Sequence, residues 1–286
     1  MPDWAVGIST GCFCDAPLVD VLEPIRASGF HQLEICSLPS HLDYHDAGAC
    51  EHAARRIAEL GLEPYSFHAP FADAIDITAL DAGRREHAGG EIGRALEAAA
   101  RLGAHYFVLH PGPEASDVPR AERLDRMENA AASLDRVARR CRELGLLLVL
   151  ENMLPHLFSG HVRELLWLLG ALESTEVGVC LDTGHAFLSG DLANVAHKLS
   201  GHLWMVHASD THGTYDDHLP PGDGVVPWRA LMQQLHATHF DGAFMLEIAD
   251  GGPVEEVLAR ARRGRSHLRR VAHAFGVGPR EAPAHE

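Results

Sequence analysis

The sequence predicts a single-domain (β/α)8 TIM barrel, an α/β fold in which eight parallel strands alternate with eight helices. Short aliphatic runs alternate with longer amphipathic stretches along the chain, which is typical of parallel βαβ units. The length of 286 residues suits a barrel with modest loops, for which ~250 residues are usual. Glycines also recur between a predicted helix and the next strand, where a left-handed residue ends a helix.

The predicted elements follow in order from these patterns. The strands are short apolar runs at residues 5–9, 32–36, 64–68, 106–110, 146–151, 177–182, 203–207 and 243–247. The helices are the amphipathic segments at residues 18–28, 49–60, 83–102, 119–144, 161–172, 191–199, 227–237 and 253–275. The glycines that we expect to end helices are Gly29, Gly61, Gly103, Gly145 and Gly242.

No linker or low-complexity block divides the chain. We therefore expect one barrel domain over residues 1–275. Residues 276–286 lack apolar periodicity, and we expect them to form a flexible C-terminal tail.

The composition argues against several classes of protein. Apolar residues make up 46% of the chain, enough for a sizeable core, but no apolar run approaches the ~20 residues of a membrane span. The start, Met1-Pro2-Asp3-Trp4, has no secretory signal pattern, so we expect a cytoplasmic protein without a membrane partner. A net charge of −16 argues against a general nucleic-acid binder, whose affinity depends on Lys and Arg.

The sequence also gives little support for catalysis by a lysine or for a cysteine-based metal or redox site. Lys198 is the sole lysine, which argues against Schiff-base catalysis and a Walker-type phosphate loop. The six cysteines include no C-x-x-C pair, so neither a zinc knuckle nor a thioredoxin-type site is predicted. We expect these cysteines to be free thiols.

Each predicted strand carries a polar or ionisable residue at or near its carboxyl end. In chain order these residues are Ser9 or Thr10, Glu34, His68, His110, Glu151, Asp182, His207 and Glu247. An unpaired charge in an apolar setting is costly, and the active site of a (β/α)8 barrel lies at the carboxyl ends of its strands. We therefore expect these side chains to converge on one polar site.

Four of these residues form a good ligand set for a divalent metal: Glu151, Asp182, His207 and Glu247. Carboxylate and imidazole ligands without a thiolate suit Zn, Mn, Co or Fe, and the sequence does not choose among them. We expect one metal ion, with up to three left open by the further polar residues nearby.

The further residues follow the sixth and seventh strands. Asp182-Thr183-Gly184-His185 places an imidazole three residues after a carboxylate, in the turn leaving the sixth strand. The seventh strand is followed by Asp210 and then by Asp216-Asp217-His218 in a loop rich in Gly and Pro. Two other residues are open to interpretation: Glu34 could orient a substrate hydroxyl or pair with a cation such as Arg26, and Trp228 could line the pocket behind this loop.

In this order, these segments resemble the xylose isomerase-like TIM barrels, a family of sugar-phosphate isomerases and epimerases that also includes endonuclease IV. The segments that carry the resemblance are His110-Pro111-Gly112, Glu151-Asn152, Leu181-Asp182-Thr183-Gly184-His185, Val206-His207-Ala208-Ser209-Asp210, and Asp216-Asp217-His218 with Pro221-Gly222-Asp223-Gly224 and Trp228. The resemblance covers nearly the whole chain and implies the barrel fold and a metal-dependent activity.

The resemblance implies two alternative site designs. In the sugar epimerases, a single metal would be held by the four ligands named above and would stabilise an enediolate as a Lewis acid. Glu151 and Glu247 would then act as the acid and base of a proton transfer. His185 is similar to the family's substrate-contacting histidine, and His68 could contact the substrate without binding a metal.

In endonuclease IV, three zinc ions would use nine positions and would attack a phosphodiester with a bound hydroxide. The counterparts in this chain are His68, His110, Glu151, Asp182, His185, His207, Asp216, His218 and Glu247, and all nine residue types match.

The charge of the loops favours the sugar enzyme. The segments after the second and third strands, residues 37–46 and 69–76, contain no Arg or Lys, whereas gripping a DNA backbone requires such residues. We therefore rank an isomerase or epimerase with a small carbohydrate substrate above a zinc phosphoesterase. A barrel that binds metal and sugar without catalysis is the third alternative. The sequence does not predict the oligomeric state.

Overall fold

Eight parallel strands close into a barrel in the computed structural model, which describes residues 4–114 and 118–274. The strands are β1 Val6–Ser9, β2 Gln32–Cys36, β3 Glu63–His68, β4 Tyr106–Leu109, β5 Leu147–Glu151, β6 Val177–Asp182, β7 Leu203–Ala208 and β8 Ala243–Leu246. Each strand pairs with its neighbours in chain order, and β8 closes on β1. The predicted (β/α)8 fold is confirmed, whereas the predicted tail, 276–286, lies outside the described residues.

Nine α-helices surround the barrel in the described part of the chain. They are α1 Leu18–Ala27, α2 Ala47–Glu59, α3 Ala82–Leu102, α4 Arg123–Leu144, α5 Val162–Ala171, α6 Thr183–Leu188, α7 Leu192–Leu199, α8 Trp228–Ala237 and α9 Val254–His273. No helix among the described residues is both long enough and apolar enough to cross a membrane.

The helix α6 was not predicted, because the segment after the sixth strand reads as a turn. The carboxylate of Asp182, the last residue of β6, accepts a hydrogen bond from the backbone N–H of His185 at 2.6 Å. This contact caps the helix at its first turn. Asp182 therefore ends β6 and also starts α6. As a result, His185 lies in the first turn of that helix, close to the carboxyl end of β6.

The inside of the barrel determines where the site residues point. A small apolar cluster fills the barrel and contains Val108, Val149, Cys180, Met205, Ala243 and Met245. Side chains of a strand alternate between its two faces, so residues two positions further on also point inward. These residues are the ionisable ones: His110, Glu151, Asp182, His207 and Glu247. Because the side chains alternate along each strand, these residues point inward at the carboxyl end of the barrel, here called the mouth.

Four of the five predicted helix-ending glycines are confirmed. Gly29, Gly61, Gly103 and Gly145 have φ angles of 77°, 61°, 78° and 75°. The fifth prediction was wrong, because the left-handed residue after α8 is His239, with φ 59°. A glycine is needed at position 242 for a different reason, which is close packing: a Cβ there would lie 2.0 Å from the carbonyl oxygen of Trp204.

Candidate metal centre

Four side chains meet at the mouth with one ligand atom each. Glu151, Asp182, His207 and Glu247, here called the tetrad, bring these atoms within 4.8 Å of one another. The residues come from the ends of four neighbouring strands or the position just beyond, β5 to β8. The structure thus brings together the four residues predicted as metal ligands.

Unpartnered atoms indicate what the tetrad could hold. Oδ2 of Asp182, Nδ1 of His207 and Oε2 of Glu247 are buried and have no aligned hydrogen-bond partner among the described residues. Leaving a buried polar atom unpaired is costly, and carboxylate oxygens with an imidazole nitrogen are ligands of Zn, Mn and Co. The residues therefore fit a divalent cation.

A second group adjoins the tetrad and shares one residue with it. In this β3–β4 group, Nε2 of His68 lies 3.3 Å and Nε2 of His110 lies 3.4 Å from Oε2 of Glu151. The same oxygen lies 3.3 Å from Nδ1 of His207 in the tetrad. The carboxylate of Glu151 therefore stands between two sets of ligand atoms and could bridge two cations.

A third group, here called the loop group, consists of His185, Asp216 and His218. Oδ2 of Asp216 lies 3.1 Å from Nε2 of His185 and 3.0 Å from Nε2 of His218. His218 has a φ of 46°, which is uncommon for a residue with a side chain and is often found at functional sites. The backbone thus holds this imidazole in place at a conformational cost.

Backbone carbonyls orient the histidines. Nδ1 of His68 is 2.9 Å from the carbonyl oxygen of Ala69, and Nδ1 of His218 is 3.1 Å from that of Glu247. A ring that donates through Nδ1 presents the lone pair of Nε2 to a metal. In both residues Nε2 is the atom that faces a carboxylate of its group.

Carboxylates raise the pKa of two histidines. Burial lowers the pKa of His218, but its hydrogen bond with Asp216 outweighs this effect and raises the pKa to about 10. Burial likewise lowers the pKa of His110, while pairing with Glu114 and Glu151 raises it to about 9. Both imidazoles are therefore protonated at neutral pH without metal, and a cation must displace these protons.

The carboxylates of the tetrad differ in proton affinity. Burial raises the pKa of Glu247, but the charge of His207 outweighs burial and lowers it to about 2. Burial raises the pKa of Asp182 to about 6, although the charge of His185 opposes this shift. Glu247 is therefore a carboxylate throughout the neutral range.

Asp210 fixes the loop between β7 and α8, which carries Asp216 and His218 of the loop group. Its Oδ1 accepts hydrogen bonds from the backbone N–H groups of Thr211 and Val226, at 3.0 and 2.9 Å. Its Oδ2 accepts from the backbone N–H of Gly222 and from Nε1 of Trp228, both at 2.8 Å. Asp210, which the sequence suggested as part of the cluster, therefore acts on the site through the loop.

Two predicted substrate-binding residues lie away from the mouth surface. Glu34 is fully buried, and its Oε2 accepts hydrogen bonds from Nε2 of His207 and Oγ of Ser66. Trp228 is buried too, and its indole is engaged by Asp210. Strand β2 points Glu34 into the barrel and the first turn of α8 packs Trp228 beneath the loop, so Oε2 of Glu34 and Nε1 of Trp228 are engaged by protein groups.

From the sequence, no role was assigned to two residues that support the site. Asn152 accepts a hydrogen bond from Nδ1 of His185 on its backbone oxygen, at 2.9 Å, and its side chain pairs with the backbone of Asp182. In the sequence, Asn152 appeared only as part of the Glu151-Asn152 segment, without a role of its own. Glu114, whose Oε1 lies 3.0 Å from Nδ1 of His110, gave no signal in the sequence.

The rim of the mouth carries few cations. The segments that follow the eight strands contain no lysine and a single arginine, Arg120. Two arginines at the start of α4 are paired: Arg123 with Glu164 and Arg126 with Asp76, at 2.7 and 3.0 Å. The strand-end segments around the tetrad therefore offer few lysine or arginine charges.

The comparisons with known proteins agree with this fold. A sequence profile described as xylose isomerase-like TIM barrel matches residues 22–271. The chain belongs to this family. The resemblance predicted from the strand-end motifs is thus confirmed.

Three similar proteins carry names of different kinds. The chain is 27% identical over 268 residues to the uncharacterized protein MJ1311 of Methanocaldococcus jannaschii, covering 90% of this chain and 88% of that protein. It is 31% identical over 196 residues to a probable endonuclease 4 of Oleidesulfovibrio alaskensis, covering 58% and 62%. Its barrel superposes on that of a D-tagatose 3-epimerase-like protein with a TM-score of 0.82 at 22% identity, covering 95% and 99%.

Proposed function

We propose that this protein is a divalent-metal-dependent isomerase or epimerase, acting on a sugar, a sugar phosphate or a polyol-derived carbonyl compound. The observation that carries the proposal is the position of Glu247. Its side chain is 23% exposed, whereas that of Glu151 is 1% exposed. Glu247 is therefore the carboxylate of the tetrad that a small molecule in the mouth can reach.

Proton transfer is the chemistry for which Glu247 is suited. It is ionised at neutral pH, since its pKa is lowered to about 2 by His207 against the effect of burial. A carboxylate placed next to the carbon beside a carbonyl can act as a general base. A divalent cation held by the tetrad would supply Lewis acidity that polarises the carbonyl and the neighbouring hydroxyl.

Glu151 is the second carboxylate of the proposed reaction. In an epimerisation, Glu247 takes the proton from one face of the carbon and later releases it to solvent. The other face receives a proton through Glu151, which the protonated imidazole of His110, 3.4 Å from Oε2 of Glu151, resupplies. In an isomerisation, one carboxylate carries the proton between neighbouring carbons. Because Glu151 is buried against His68, His110 and His207, we assign it the inner position and Glu247 the outer one.

The surroundings of the tetrad suit a small polyol. The ring of Phe71 lies 5.4 Å from that of His68 and 5.2 Å from that of His110, and its side chain is exposed. Such an aromatic face could cover a sugar ring. The single arginine of the strand-end segments offers little attraction for a DNA backbone, which binds chiefly through Lys and Arg.

A second candidate function is phosphoester hydrolysis at a multinuclear zinc site. The observation that favours it is the grouping of the nine predicted ligands into the tetrad, the β3–β4 group and the loop group, with Glu151 shared. Neighbouring metal ions could generate a hydroxide and hold phosphate oxygens during an in-line attack. The same grouping is compatible with an isomerase that holds more than one cation, so the number of ions alone does not decide.

The experiment that tests the proposal reads proton transfer directly. Protein loaded with Zn, Mn or Co is incubated with a panel of ketoses in D₂O, and ¹H NMR follows the proton next to the carbonyl. We expect exchange with solvent deuterium that is lost in Glu247→Gln. The absence of exchange across the panel, together with hydrolysis of bis(p-nitrophenyl) phosphate or cleavage of abasic DNA, would favour the second candidate. Metal content by mass spectrometry accompanies both assays.

A further inference from the structure

Glu34 occupies an unusual position for a carboxylate. It lies on β2 inside the barrel, its side chain is fully buried, and it faces Ser66 across the β2–β3 ladder. Its Oε2 is 2.9 Å from Oγ of Ser66 and 2.9 Å from Nε2 of His207. A buried carboxylate is costly unless it is paired and hydrogen-bonded. These two contacts satisfy Oε2, whereas Oε1 is buried without a hydrogen-bond partner among the described residues.

The other ring nitrogen of His207 faces the tetrad. Nδ1 lies 3.3 Å from Oε2 of Glu151 and 3.0 Å from Oε2 of Glu247, and it has no aligned hydrogen-bond partner among the described residues. His207 itself is fully buried. Its two nitrogens therefore have different surroundings, a carboxylate acceptor at Nε2 and a set of ligand atoms at Nδ1.

We infer that Glu34 is a positioning residue that fixes the tautomer and ring orientation of His207 for metal binding. With the proton on Nε2 donated to Glu34, the lone pair of Nδ1 points into the tetrad. A carboxylate behind a ligating imidazole also raises its basicity, and loss of such a partner typically lowers metal affinity by about 10- to 100-fold. The inference rests on the metal site of the proposed function and replaces the substrate contact expected for Glu34 from the sequence.

The test uses Co²⁺ alone, which reports ligand geometry through its visible absorption. Glu34→Gln keeps the size of the side chain and an acceptor but removes the charge. We expect its Co²⁺ affinity to fall by about 10- to 100-fold and its absorption bands to change, with the melting temperature of the metal-free protein little altered. Ser66→Ala is the matched control, because it removes the other partner of Glu34, and we expect a much smaller loss of affinity.

Wild-type affinity and an unchanged spectrum in Glu34→Gln would overturn the inference. A measurement on the unsubstituted protein covers the case in which the variant does not fold. With ¹⁵N-labelled histidine, NMR of the zinc-loaded protein reports which nitrogen of His207 carries the proton; we expect Nε2, and a proton on Nδ1 would contradict the assignment. Both readouts omit substrate, so they stand or fall independently of whether any sugar is turned over.

Discussion

Nε2 of His185 lies 3.1 Å from Oδ2 of Asp216, and this contact joins α6 to the loop between β7 and α8. Since His218 approaches the same oxygen at 3.0 Å, one carboxylate organises the whole loop group. The three residues of the loop group therefore stay close together only while the loop keeps its conformation. Its contribution to metal binding can be separated from that of the tetrad.

Removing Asp216 tests the second candidate function, in which the loop group holds a zinc ion besides the one in the tetrad. In that case Asp216→Ala binds about one equivalent of Zn²⁺ fewer than the wild type, because a site that loses one of three ligands binds weakly. Metal content by mass spectrometry after dialysis measures the change. Asp217→Ala is the matched control, since its carboxylate belongs to none of the ligand groups. Equal zinc content in Asp216→Ala and the wild type would show that the loop group holds no ion.

Removing Asp210 should destabilise the protein and disorder the loop group. Its carboxylate accepts four hydrogen bonds, and each buried donor left unpaired costs about 1–3 kcal/mol. We expect Asp210→Ala to lose about 3 kcal/mol or more of unfolding free energy in urea titrations. Asp223→Ala, in the same loop but largely exposed, should change stability by less than about 1 kcal/mol. Similar values for both variants would refute the anchoring role.

The two glutamates of the tetrad should respond differently to substitution. Both Glu151→Gln and Glu247→Gln should abolish turnover and leave the fold intact. For Glu247→Gln we expect kcat to fall by about 10²- to 10⁴-fold through loss of the general base, measured at a metal concentration that keeps the tetrad loaded. Glu151→Gln should also lower metal content, because Glu151 is shared by the tetrad and the β3–β4 group. Full activity in either variant would contradict the acid/base assignment.

The metal-free protein should lose stability as the pH rises above neutrality. The pKa values of His110 and His218 are raised to about 9 and about 10, so the folded state binds protons more tightly than the unfolded chain. Their contribution is complete below the ordinary histidine pKa of about 6.5 and is lost as the pH passes 9 to 10. Melting temperatures measured in EDTA from pH 6 to 10 should therefore fall, and a flat profile would contradict these shifts. Zinc affinity should rise over the same interval.

Gly242 and Gly170 provide a matched pair for the packing of β8. A Cβ at position 242 would lie 2.0 Å from the backbone oxygen of Trp204, whereas a Cβ at position 170 in α5 meets nothing within 4 Å. We expect Gly242→Ala to destabilise by about 3 kcal/mol and Gly170→Ala to stabilise by about 0.5–1 kcal/mol. Chemical unfolding measures both changes. A neutral Gly242→Ala would show that β7 and β8 can move apart at no cost.

Local patterns in the sequence predicted most of the fold and the main residues of the site. Helix-ending glycines and apolar runs placed every strand to within one residue at each end. The patterns missed α6 because Asp182 ends an apolar run and was assigned to a strand alone, whereas its side chain also caps a helix. They also misread Gly242, since a glycine required by contact with another strand looks the same in sequence as one required by a turn.

By itself, the sequence determined the order of the strands and the ionisable residues at their ends, because the period of two along a strand is a local property. Only the tertiary structure decided which atoms meet. Glu34 and His207 are 173 positions apart in the chain, and Glu151 gains its place between two ligand groups when the barrel closes. Such contacts depend on the register and closure of all eight strands, which no short segment encodes, so the roles of Glu34, Trp228 and Asp210 emerged only from the assembled barrel.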